Sequence, residues 1–381
     1  MGYCASLTHK YLFLHFGDLL PNHGISNKIQ AQCTALESVG LDIALTHVHR
    51  NDKKDWEFYI DDDIIGRKKK SNVNLFNVFY CYPHFFSYIR KNRIKGIYWR
   101  WGCMTPGQFI LLALLRILGC RVIMEIPTYP YDKEWPFDRY DWIANLPRRC
   151  DSVIRHFWKF FIYRIVTFSS DRYIYGVPCI NISNGYIPDL IQIKKQIPFT
   201  THLHMIAVAM VQWWHGFDRI IQGLRYYYKT SPSIIVSLTI VGDGEIKQLK
   251  QMVEEYGLSD FVHFTGAISG EPLHAEFDKA HIAIGSLGRH RSGISTMKSL
   301  KNVEYASRGI PFIYSENNSD FDGNPFVMKV PADESPLDIQ KVIEFYKSQP
   351  LSPAEIHKFA EPYSWDNQIE AVAKEFLNEY D

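Results

Sequence analysis

The sequence contains no long hydrophobic run and no signal-peptide pattern. Its longest apolar stretch, residues 109–118, is interrupted by Arg116 and is far shorter than the roughly 20 residues that a membrane-spanning helix requires. The first residues lack the basic and long apolar regions of a secretory signal. We therefore expect a cytoplasmic protein without a transmembrane helix.

Paired cysteines are missing too. Seven cysteines are scattered over 381 residues, an odd number without a C-x-x-C motif, which argues against a disulfide framework and favours reduced thiols. Apolar residues make up 46% and charged residues 22% of the chain, as in ordinary folded proteins. Because a single core rarely grows to this length, we expect two domains.

The net charge of the whole chain is only +1, but the charge is unevenly distributed. Residues 1–170 hold 23 Lys/Arg against 15 Asp/Glu, and residues 171–381 hold 19 against 26. A basic first half suggests an anionic partner, and the basic, aromatic segment 155–164 would suit peripheral contact with an anionic membrane. The alternative is that its aromatic side chains form a core. Nucleic acid is not expected, because no recognition module is present.

Strand and helix patterns alternate along the chain, which predicts parallel sheets. In the first half we predict strands at 11–16, 41–48, 97–100, 121–125, 165–169 and 179–183, helices at 25–39, 105–118 and 151–163, and a polar loop at 51–71. In the second half we predict strands at 202–209, 235–241, 262–264, 282–284, 311–314 and 326–330, and helices at 217–228, 245–256, 272–280, 295–308, 337–347, 354–359 and 366–378.

The predicted fold class is α/β, with two Rossmann-like doubly wound domains that face a central cleft. We predict a first domain at 1–190, a second at 191–360 and a C-terminal helix at 361–381. A polar, Pro-flanked segment near the first boundary predicts the linker. In open α/β sheets, ligands bind at the carboxyl ends of the strands.

Residues 295–313 carry the most informative pattern, a capped helix followed by Gly309 and a buried strand. Lys298, Lys301 and Glu304 follow at three-residue steps, so on a helix they share one face. If Ser295 or Thr296 caps this helix, its free N–H groups and dipole attract an anion.

Glu304 is placed on this helix to accept hydrogen bonds from two neighbouring hydroxyls, such as those of a ribose. The alternative for this helix is a solvated face on which Glu304 pairs with Arg308, four residues on.

This segment resembles the end of the acidic motif in the retaining, group-one glycosyltransferases of the GT-B fold, which build bacterial surface polysaccharides. Glu304 matches the second, ribose-binding Glu of that motif. Thr296 stands where the family has its first Glu, which contacts the transferred sugar. The resemblance implies a nucleotide-diphosphate sugar as donor, and the departure at Thr296 concerns the donor's identity more than the fold.

A second matching segment is the Gly242-Asp243-Gly244 turn after a predicted strand. It resembles the family's donor-domain turn, and residues 262–266 resemble the strand that follows. Glycines allow close approach of the backbone to a ligand, which makes Gly242 and Gly244 candidate donor-binding residues. A bare G-x-G is weak evidence, however, and a tight strand-to-helix turn is the alternative.

The family's diphosphate-binding Arg and Lys are replaced here by Met210 and His215. Other cations would then have to neutralise the donor diphosphate. We favour Lys301 for donor binding and Arg291 for a catalytic role, with these further donor-binding candidates: Arg289, Lys298, His215 and Arg219. Each is also compatible with a plain surface cation.

In the first half, the loop with His23 and Gly24 is similar in position to the family's glycine-rich phosphate and acceptor loop. Glu125 ends an apolar strand ahead of the Pro/Tyr-rich loop that contains Tyr129. A buried carboxylate there requires a function or a partner. We predict that Glu125 is catalytic and that Arg100 and Tyr129 lie at the acceptor site; equally, Glu125 pairs with Arg100 or caps a helix.

No metal site or cofactor is predicted. The D-x-D within residues 61–63 lies in a polar run, and the His pairs at 47/49 and 202/204 lack a third ligand nearby. The sequence thus predicts a metal-independent glycosyltransferase of surface (capsular or lipopolysaccharide) polysaccharide synthesis, acting on a glycan or lipid-linked acceptor. The alternatives are a catalytically silent scaffold that binds a partner or glycan, and a nucleotide-sugar epimerase or phosphorylase on the same fold.

Overall fold

The structure is a computed structural model that describes residues 10–20, 24–69, 81–132 and 142–377. The chain folds into two compact units. As far as their residues are described, the first takes in Met1–Tyr129, Pro136–Ile182 and Trp365–Asp381, and the second takes in Pro130–Trp135 and Ser183–Ser364. The division at 182/183 precedes the predicted boundary at 190/191, and the last helix groups with the first unit.

The first unit contains a sheet of nine described strands in the order β4-β3-β2-β1-β5-β6-β7-β9-β8. The strands are β1 (Tyr11–Leu14), β2 (Ile43–Arg50), β3 (Trp56–Ile60), β4 (Asp63–Lys68), β5 (Gly96–Arg100), β6 (Arg121–Ile126), β7 (Arg164–Thr167), β8 (Tyr173–Ile174) and β9 (Val177–Asn181). The helices are α1 (Gly24–Ser38), α2 (Cys81–Asn92), α3 (Pro106–Ile117), α4 (Trp142–Ile154) and, from the C-terminus, α11 (Trp365–Leu377).

The centre of this sheet is parallel, from β2 through β1, β5, β6 and β7 to β9. The loop predicted at 51–71 is wrong, because β3 and β4 pair there as an antiparallel hairpin. Phe58 and Ile60 are buried on alternate positions of β3, a period of two that the surrounding polar residues obscure.

The helix predicted at 151–163 is also displaced. Helix α4 begins earlier, at Trp142, and carries Pro147 in its interior. It gives way to a tighter 3₁₀ segment at Arg155–Phe160. Proline is usually a helix breaker, which is why the sequence pattern placed the start of the helix after it.

The second unit contains a six-stranded parallel sheet in the order β12-β11-β10-β13-β14-β15. Its strands are β10 (His202–Val208), β11 (Ile235–Val241), β12 (Val262–Gly266), β13 (Ile282–Ile284), β14 (Phe312–Tyr314) and β15 (Val327–Lys329). Its helices are α5 (Phe217–Tyr228), α6 (Lys247–Glu255), α7 (Glu271–Lys279), α8 (Leu300–Ser307), α9 (Ile339–Ser348) and α10 (Pro353–Lys358).

This strand order is the 3-2-1-4-5-6 order of dinucleotide-binding sheets, with the chain reversing direction across the sheet between β10 and β13. Two apolar clusters cover the two faces of the sheet, one including Leu203 and Ile221, the other including Ile206 and Phe312. The fold class predicted from the sequence is therefore confirmed for both units. Across the described residues, no helix is both long and apolar enough to span a membrane.

Helix α8 differs from its prediction at the start. It begins at Leu300, with Ser299 in the N-cap position, because the residues before it follow an extended path. Met297 N–H donates to the Asn317 carbonyl at 2.9 Å and Asn317 N–H donates to the Ser295 carbonyl at 2.8 Å. This pairing of 295–297 with Asn317, in the chain after β14, prevents a helix from forming there.

Candidate functional site

Four segments meet at the carboxyl edge of the second sheet: the turn after β10, the loop after β13, the chain after β14, and the start of α8. The first two touch through bare backbone. A Cβ on Gly216, whose φ is +67°, would lie 2.8 Å from the Gly288 nitrogen, closer than non-bonded atoms approach. Leu287 N–H donates to the His215 carbonyl at 2.9 Å, which fixes the two loops against each other.

A buried charged cluster lies at this edge. It consists of His215, Arg289, Lys301 and Glu316. The pKa values of His215, Lys301 and Glu316 are each shifted by charged neighbours within the cluster. Arg289 is 7% exposed, His215 5% and Glu316 2%. Charges are rarely taken out of water without a partner or a function, so this cluster is the strongest candidate for a binding site in the unit.

Lys301 is the most unusual member of the cluster. Its Nζ atom is buried and has no hydrogen-bond partner among the described residues. The Phe217 ring centroid lies 5.9 Å from this nitrogen. The pKa of Lys301 is lowered to about 7, mainly by burial and also by Arg289, while Glu316 and Glu304 act in the opposite sense. Although the Glu316 carboxyl favours the ammonium form of Lys301, it makes no hydrogen bond with Nζ.

Glu316 carries the opposite deviation. Burial raises the pKa of its carboxyl to about 7, although the backbone of Glu316 itself, Arg289 and Lys301 favour the charged form. Neither carboxylate oxygen has a hydrogen-bond partner among the described residues. It directly follows Ser315 at the end of β14. Burial therefore disfavours the charged form of both Glu316 and Lys301.

His215 is neutral. Its Nδ1 accepts a hydrogen bond from the Gln212 N–H at 2.9 Å, and its ring stacks on Phe217 at 5.5 Å. Burial holds the pKa of His215 well below its usual value, helped by Lys301 and Arg289. With Nδ1 accepting, the ring proton sits on Nε2, so His215 can donate one hydrogen bond but no charge.

Lys298 does not share the predicted helix face with Lys301 and Glu304, and Thr296 does not cap the helix, because both residues precede α8 and its N-cap Ser299. Thr296 is exposed and bridges to Asn317. Lys298 Nζ lies 3.0 Å from Asp320 Oδ1 and donates to Ser183 Oγ at 2.9 Å. Lys298 therefore anchors the chain before the helix, and its use for donor binding is not supported by its contacts.

Glu304 forms the ion pair that was the alternative for this helix. Arg308 Nη2 lies 2.9 Å from Glu304 Oε1, and Arg308 Nε donates to the same oxygen at 3.0 Å. The Glu304 side chain remains 29% exposed. Its role in ribose binding stays a prediction.

Arg291, the predicted catalytic cation, is occupied by two carboxylates. Its Nη1 and Nη2 atoms donate to Asp218 at 2.9 and 2.8 Å, and its Nε and Nη2 atoms donate to Glu334 at 3.0 and 2.5 Å. This places Arg291 as a clamp between α5 and the loop after β13 rather than as a group facing a phosphate.

Arg219 is likewise structural. Its side chain is 1% exposed, and it donates to the carbonyls of Leu287, Ser335 and Pro331. These carbonyl oxygens occupy the N–H donors of the Arg219 guanidinium, so no donor remains for a diphosphate. The prediction that Arg219 binds the donor is therefore not supported.

Gly242 and Gly244 are required by the protein's own backbone. Their φ angles are +120° and +114°, and added Cβ atoms would lie 1.9 Å from the Ala209 carbonyl oxygen and 2.3 Å from that of Val211. Gly242 N–H donates to the Gly266 carbonyl at 2.8 Å. The tight turn, the alternative at this position, accounts for both glycines, and their contact with a donor stays a prediction.

A cavity of about 250 Å³ lies beside the charged cluster. Its lining includes His290, Ile294, Ser295, Ser315, Glu316 and Asn317. Most of the wall comes from the loop after β13 and from the chain after β14, and Ala332, after β15, completes it. Hydroxyl, amide and carboxyl groups thus surround a space at the carboxyl edge of the sheet.

In the first unit, Glu125 forms a second buried cluster. It is 0% exposed and ion-pairs with Arg100 and with Lys28 at 3.5 Å. The Tyr98 hydroxyl and the Gln32 amide both donate to its Oε2 at 2.6 Å. Burial alone would raise the pKa of Glu125, but Lys28, Arg100 and these two donors outweigh burial and hold it well below its usual range.

These contacts favour pairing with Arg100, the second of the two predictions for Glu125. With no exposed surface and both oxygens bonded, this carboxylate joins α1, β5 and β6 rather than facing a substrate. Arg100 is 9% exposed and is engaged in the same cluster.

The remaining first-unit candidates are less constrained. Tyr129 is half-buried and packs edge-on against Tyr175, with centroids 6.0 Å apart. Gly24 is the exposed first residue of α1, and His23 lies outside the described residues. Their roles in acceptor binding stay predictions.

Sequence reasoning missed Glu316, Asn302 and Lys28. Glu316 had a detectable signal, because it comes two residues after a strand whose carboxyl end was expected at the ligand edge. Asn302 and Lys28 lie on helices next to apolar positions and gave no signal of burial.

Comparison with known proteins follows this geometry. Residues 203–334 match the model of the family described as "Glycosyl transferases group 1", and no curated protein sequence gives a match. Among solved structures, sucrose-phosphate synthase from Thermosynechococcus elongatus has a TM-score of 0.66 at 14% identity, over 96% of this chain and 97% of that one.

Two further structures are similar over nearly the whole chain. WaaG, a glycosyltransferase involved in lipopolysaccharide biosynthesis, has a TM-score of 0.64 at 12% identity, over 97% of this chain and 100% of that one. The catalytic domain of starch synthase IV from Arabidopsis thaliana, bound to ADP and acarbose, has a TM-score of 0.61 at 10% identity, with 97% and 100% coverage. The likeness shows a GT-B fold, with the family match confined to the second unit.

Proposed function

We propose that the protein is a glycosyltransferase whose second unit binds a nucleotide-diphosphate sugar and transfers its sugar to a glycan or lipid-linked acceptor. The observation that carries this proposal is the buried, unpartnered ammonium of Lys301 beside Arg289, at the carboxyl edge of a dinucleotide-type sheet. The family match over the same residues supports a transferase.

The diphosphate would bind at Lys301 and Arg289, ahead of the first turn of α8. Free N–H groups of that turn favour an anion, and neutral His215 adds one hydrogen-bond donor. As the sugar–phosphate bond breaks, negative charge grows on the departing diphosphate. Fixed cations in a dry site stabilise that charge more than they stabilise the ground state.

The finer assignments rest on the resemblance. They are retention of anomeric configuration, independence of metal, and a role in capsular or lipopolysaccharide synthesis. Support for the last comes from the likeness to a glycosyltransferase involved in lipopolysaccharide biosynthesis. Within the described residues, no group of three or more His, Cys, Asp or Glu is arranged to hold a metal ion.

We also propose peripheral contact of the first unit with an anionic membrane. Helix α3 exposes a stripe of apolar side chains at i, i+4 and i+7, with Ile110 at 61%, Leu114 at 36% and Ile117 at 79% exposure. The 3₁₀ segment after α4 exposes Phe157 and Phe160 beside Lys159, and the Phe157 ring lies 6.4 Å from the Phe109 ring of α3. Apolar side chains among cations suit an anionic lipid surface.

The test of the transferase is a screen of nucleotide sugars with the release of nucleoside diphosphate as readout, with and without EDTA. Turnover that persists in EDTA and is lost in Lys301→Met supports the proposal. Nucleoside-diphosphate binding without turnover on any donor and acceptor would instead identify a silent scaffold. Absence of any such binding would overturn the assignment of the site.

The test of the membrane proposal is flotation with vesicles of neutral phosphatidylcholine, with and without anionic phosphatidylglycerol. We expect binding to the anionic vesicles only, reduced at high salt and in the Ile117→Asp/Phe160→Asp double variant. Glu344→Gln on exposed α9 is the control. Equal recovery of the double variant with the anionic vesicles would contradict the proposal.

A further inference from the structure

We propose that Glu316 binds hydroxyl groups of the donor's sugar and so selects which sugar is transferred. This inference rests on the proposed function, since it divides the donor between two adjoining parts of one site. The charged cluster would hold the diphosphate, and the cavity beside it would hold the sugar ring.

The position of Glu316 supports this assignment. Glu316 belongs both to the buried cluster with Lys301 and Arg289 and to the lining of the cavity. In a nucleotide sugar, the ring is bonded directly to the diphosphate. A sugar subsite must therefore adjoin the cations that hold the phosphates, and Glu316 is the residue that the two parts share.

The charge of the Glu316 carboxylate supports it as well. Both carboxylate oxygens of Glu316, a residue of the cavity lining, are buried and lack a hydrogen-bond partner among the described residues. A carboxylate also disfavours an anionic group beside it, so the adjoining part of the donor is expected to be uncharged. Carboxylate oxygens accept hydrogen bonds strongly, and two vicinal hydroxyls present the matching donors. Ser295 and Ser315 add hydroxyls to the same lining. A neutral, hydroxyl-rich group fits this lining, whereas a phosphate does not.

The size of the cavity matches one sugar ring. The cavity, at about 250 Å³, lies below the roughly 300–1,000 Å³ of pockets that hold whole drug-sized ligands. It suits one ring of a donor and not the entire nucleotide. Ile294 supplies an apolar wall, on which the C–H face of a sugar ring can rest.

The backbone around Glu316 is rigid. Thr296 and Asn317 form a backbone bridge, and residues 295 to 297 pair with 317 through hydrogen bonds of 2.8 and 2.9 Å. Asn317 follows Glu316 directly, so the carboxylate is held by a backbone ladder. A fixed carboxylate discriminates between hydroxyl orientations better than one on a mobile loop.

The experiment uses the full-length protein and calorimetric titration with UDP, ADP and GDP and with their hexose esters. For the nucleotide whose sugar ester the wild type turns over, we expect Glu316→Gln to weaken binding of the ester about tenfold or more. Binding of the free nucleoside diphosphate should stay within about threefold or tighten, because a nearby negative charge has been removed.

Glu316→Asp provides the second variant, because it keeps the charge but shortens the reach. We expect the same selective loss for the ester, whereas a counter-ion role would be preserved. Glu344→Gln, on exposed α9, is the matched control, and melting temperatures report whether each variant folds.

The outcomes separate the two proposals. Equal weakening of ester and nucleoside diphosphate in Glu316→Gln would reduce Glu316 to a counter-ion for Lys301 and Arg289, and would overturn this inference alone. Failure of the wild type to bind any nucleoside diphosphate would overturn the proposed function with it.

Discussion

The Glu304 carboxylate accepts a hydrogen bond at 3.0 Å from Nε of Arg308, the C-cap residue of α8, and the Arg308 Nη2 atom lies 2.9 Å from the same oxygen. Both contacts are to Oε1, so Oε2 is the oxygen available to a ribose hydroxyl. The Arg308 side chain is only 4% exposed and also packs over the Phe277 ring at 4.4 Å. The pair therefore joins helix stability to the proposed donor contact.

We predict that Glu304→Ala raises the donor KM at least about tenfold with little change in kcat, since a uniform binding contact is lost. It should also lower the free energy of unfolding by about 1–3 kcal/mol, because a nearly buried guanidinium loses its partner. Steady-state kinetics and urea titration measure the two effects. Arg308→Met is the matched variant: an increase in KM as large as that of Glu304→Ala would show that helix disruption alone explains both.

We predict that Lys301→Met abolishes nucleoside-diphosphate binding and raises the melting temperature by at least about 2 °C at pH 7. Burial lowers the pKa of Lys301 from 10.5 to about 7, so charging this side chain opposes folding. That penalty is absent above pH 10.5 and grows as the pH falls towards 7. The gain in melting temperature should therefore be larger at pH 7 than at pH 10. A destabilised variant would mean that Lys301 already has a compensating anion within the fold.

We predict that affinity for a nucleoside diphosphate falls as the pH rises from about 7 to 9. With a pKa of about 7, Lys301 loses its proton over this range, and Glu316, whose pKa burial also raises to about 7, completes its ionisation. Both changes disfavour an anion. Lys301→Arg keeps its charge and should flatten the profile. A flat wild-type profile in the same titrations would contradict the assignment of Lys301 to the diphosphate.

We predict that Arg291→Ala leaves nucleoside-diphosphate affinity within about threefold but lowers the melting temperature of the second unit. Its guanidinium is held by Asp218 and Glu334, so its loss leaves two carboxylates close together. Asp218→Asn tests the same clamp from the other side and should have a similar effect on stability. A loss of affinity above tenfold in Arg291→Ala, without one in Asp218→Asn, would return Arg291 to the donor site.

We predict that Glu125→Ala destabilises the first unit by about 3–5 kcal/mol, because it leaves Lys28 and Arg100 buried without their anion. The pKa of Glu125 is held below its unfolded value of 4.5. Its stabilising effect is therefore present above pH 4.5 and is lost as the pH falls below that value. Chemical denaturation of wild type and variant at pH 7 and pH 4 measures this difference. Full stability of the variant at pH 7 would contradict the structural role.

Much of the second unit follows from its sequence. Buried parallel strands are short apolar runs between turn residues, and Ile235–Val241 and Phe217–Tyr228 match their predicted bounds. The β3–β4 hairpin was missed because Glu57 interrupts its apolar residues, and α4 because of Pro147. In both, contacts distant in sequence override the local pattern.

The site was harder to predict than the fold. Lys301 and Arg289 are the predicted cations whose surroundings match their proposed role. Arg219, Arg291 and Lys298 have the same charge, but their donors are taken by carbonyls and carboxylates. Sequence shows the charge of a side chain but not the groups that already neutralise it. Glu316 went unnoticed for the converse reason, since its burial depends on the pairing of 295–297 with 317.

The contact between Gly216 and Gly288 has a consequence for how this site can change. His215 precedes one glycine and Arg289 follows the other, so the spacing of imidazole and guanidinium is set by main chain touching main chain. There is no room for a side chain between the two loops, and a single methyl group at Gly216 would force them apart. Changes in ligand specificity should therefore come from substitutions in the cavity lining, while the spacing between His215 and Arg289 stays the same.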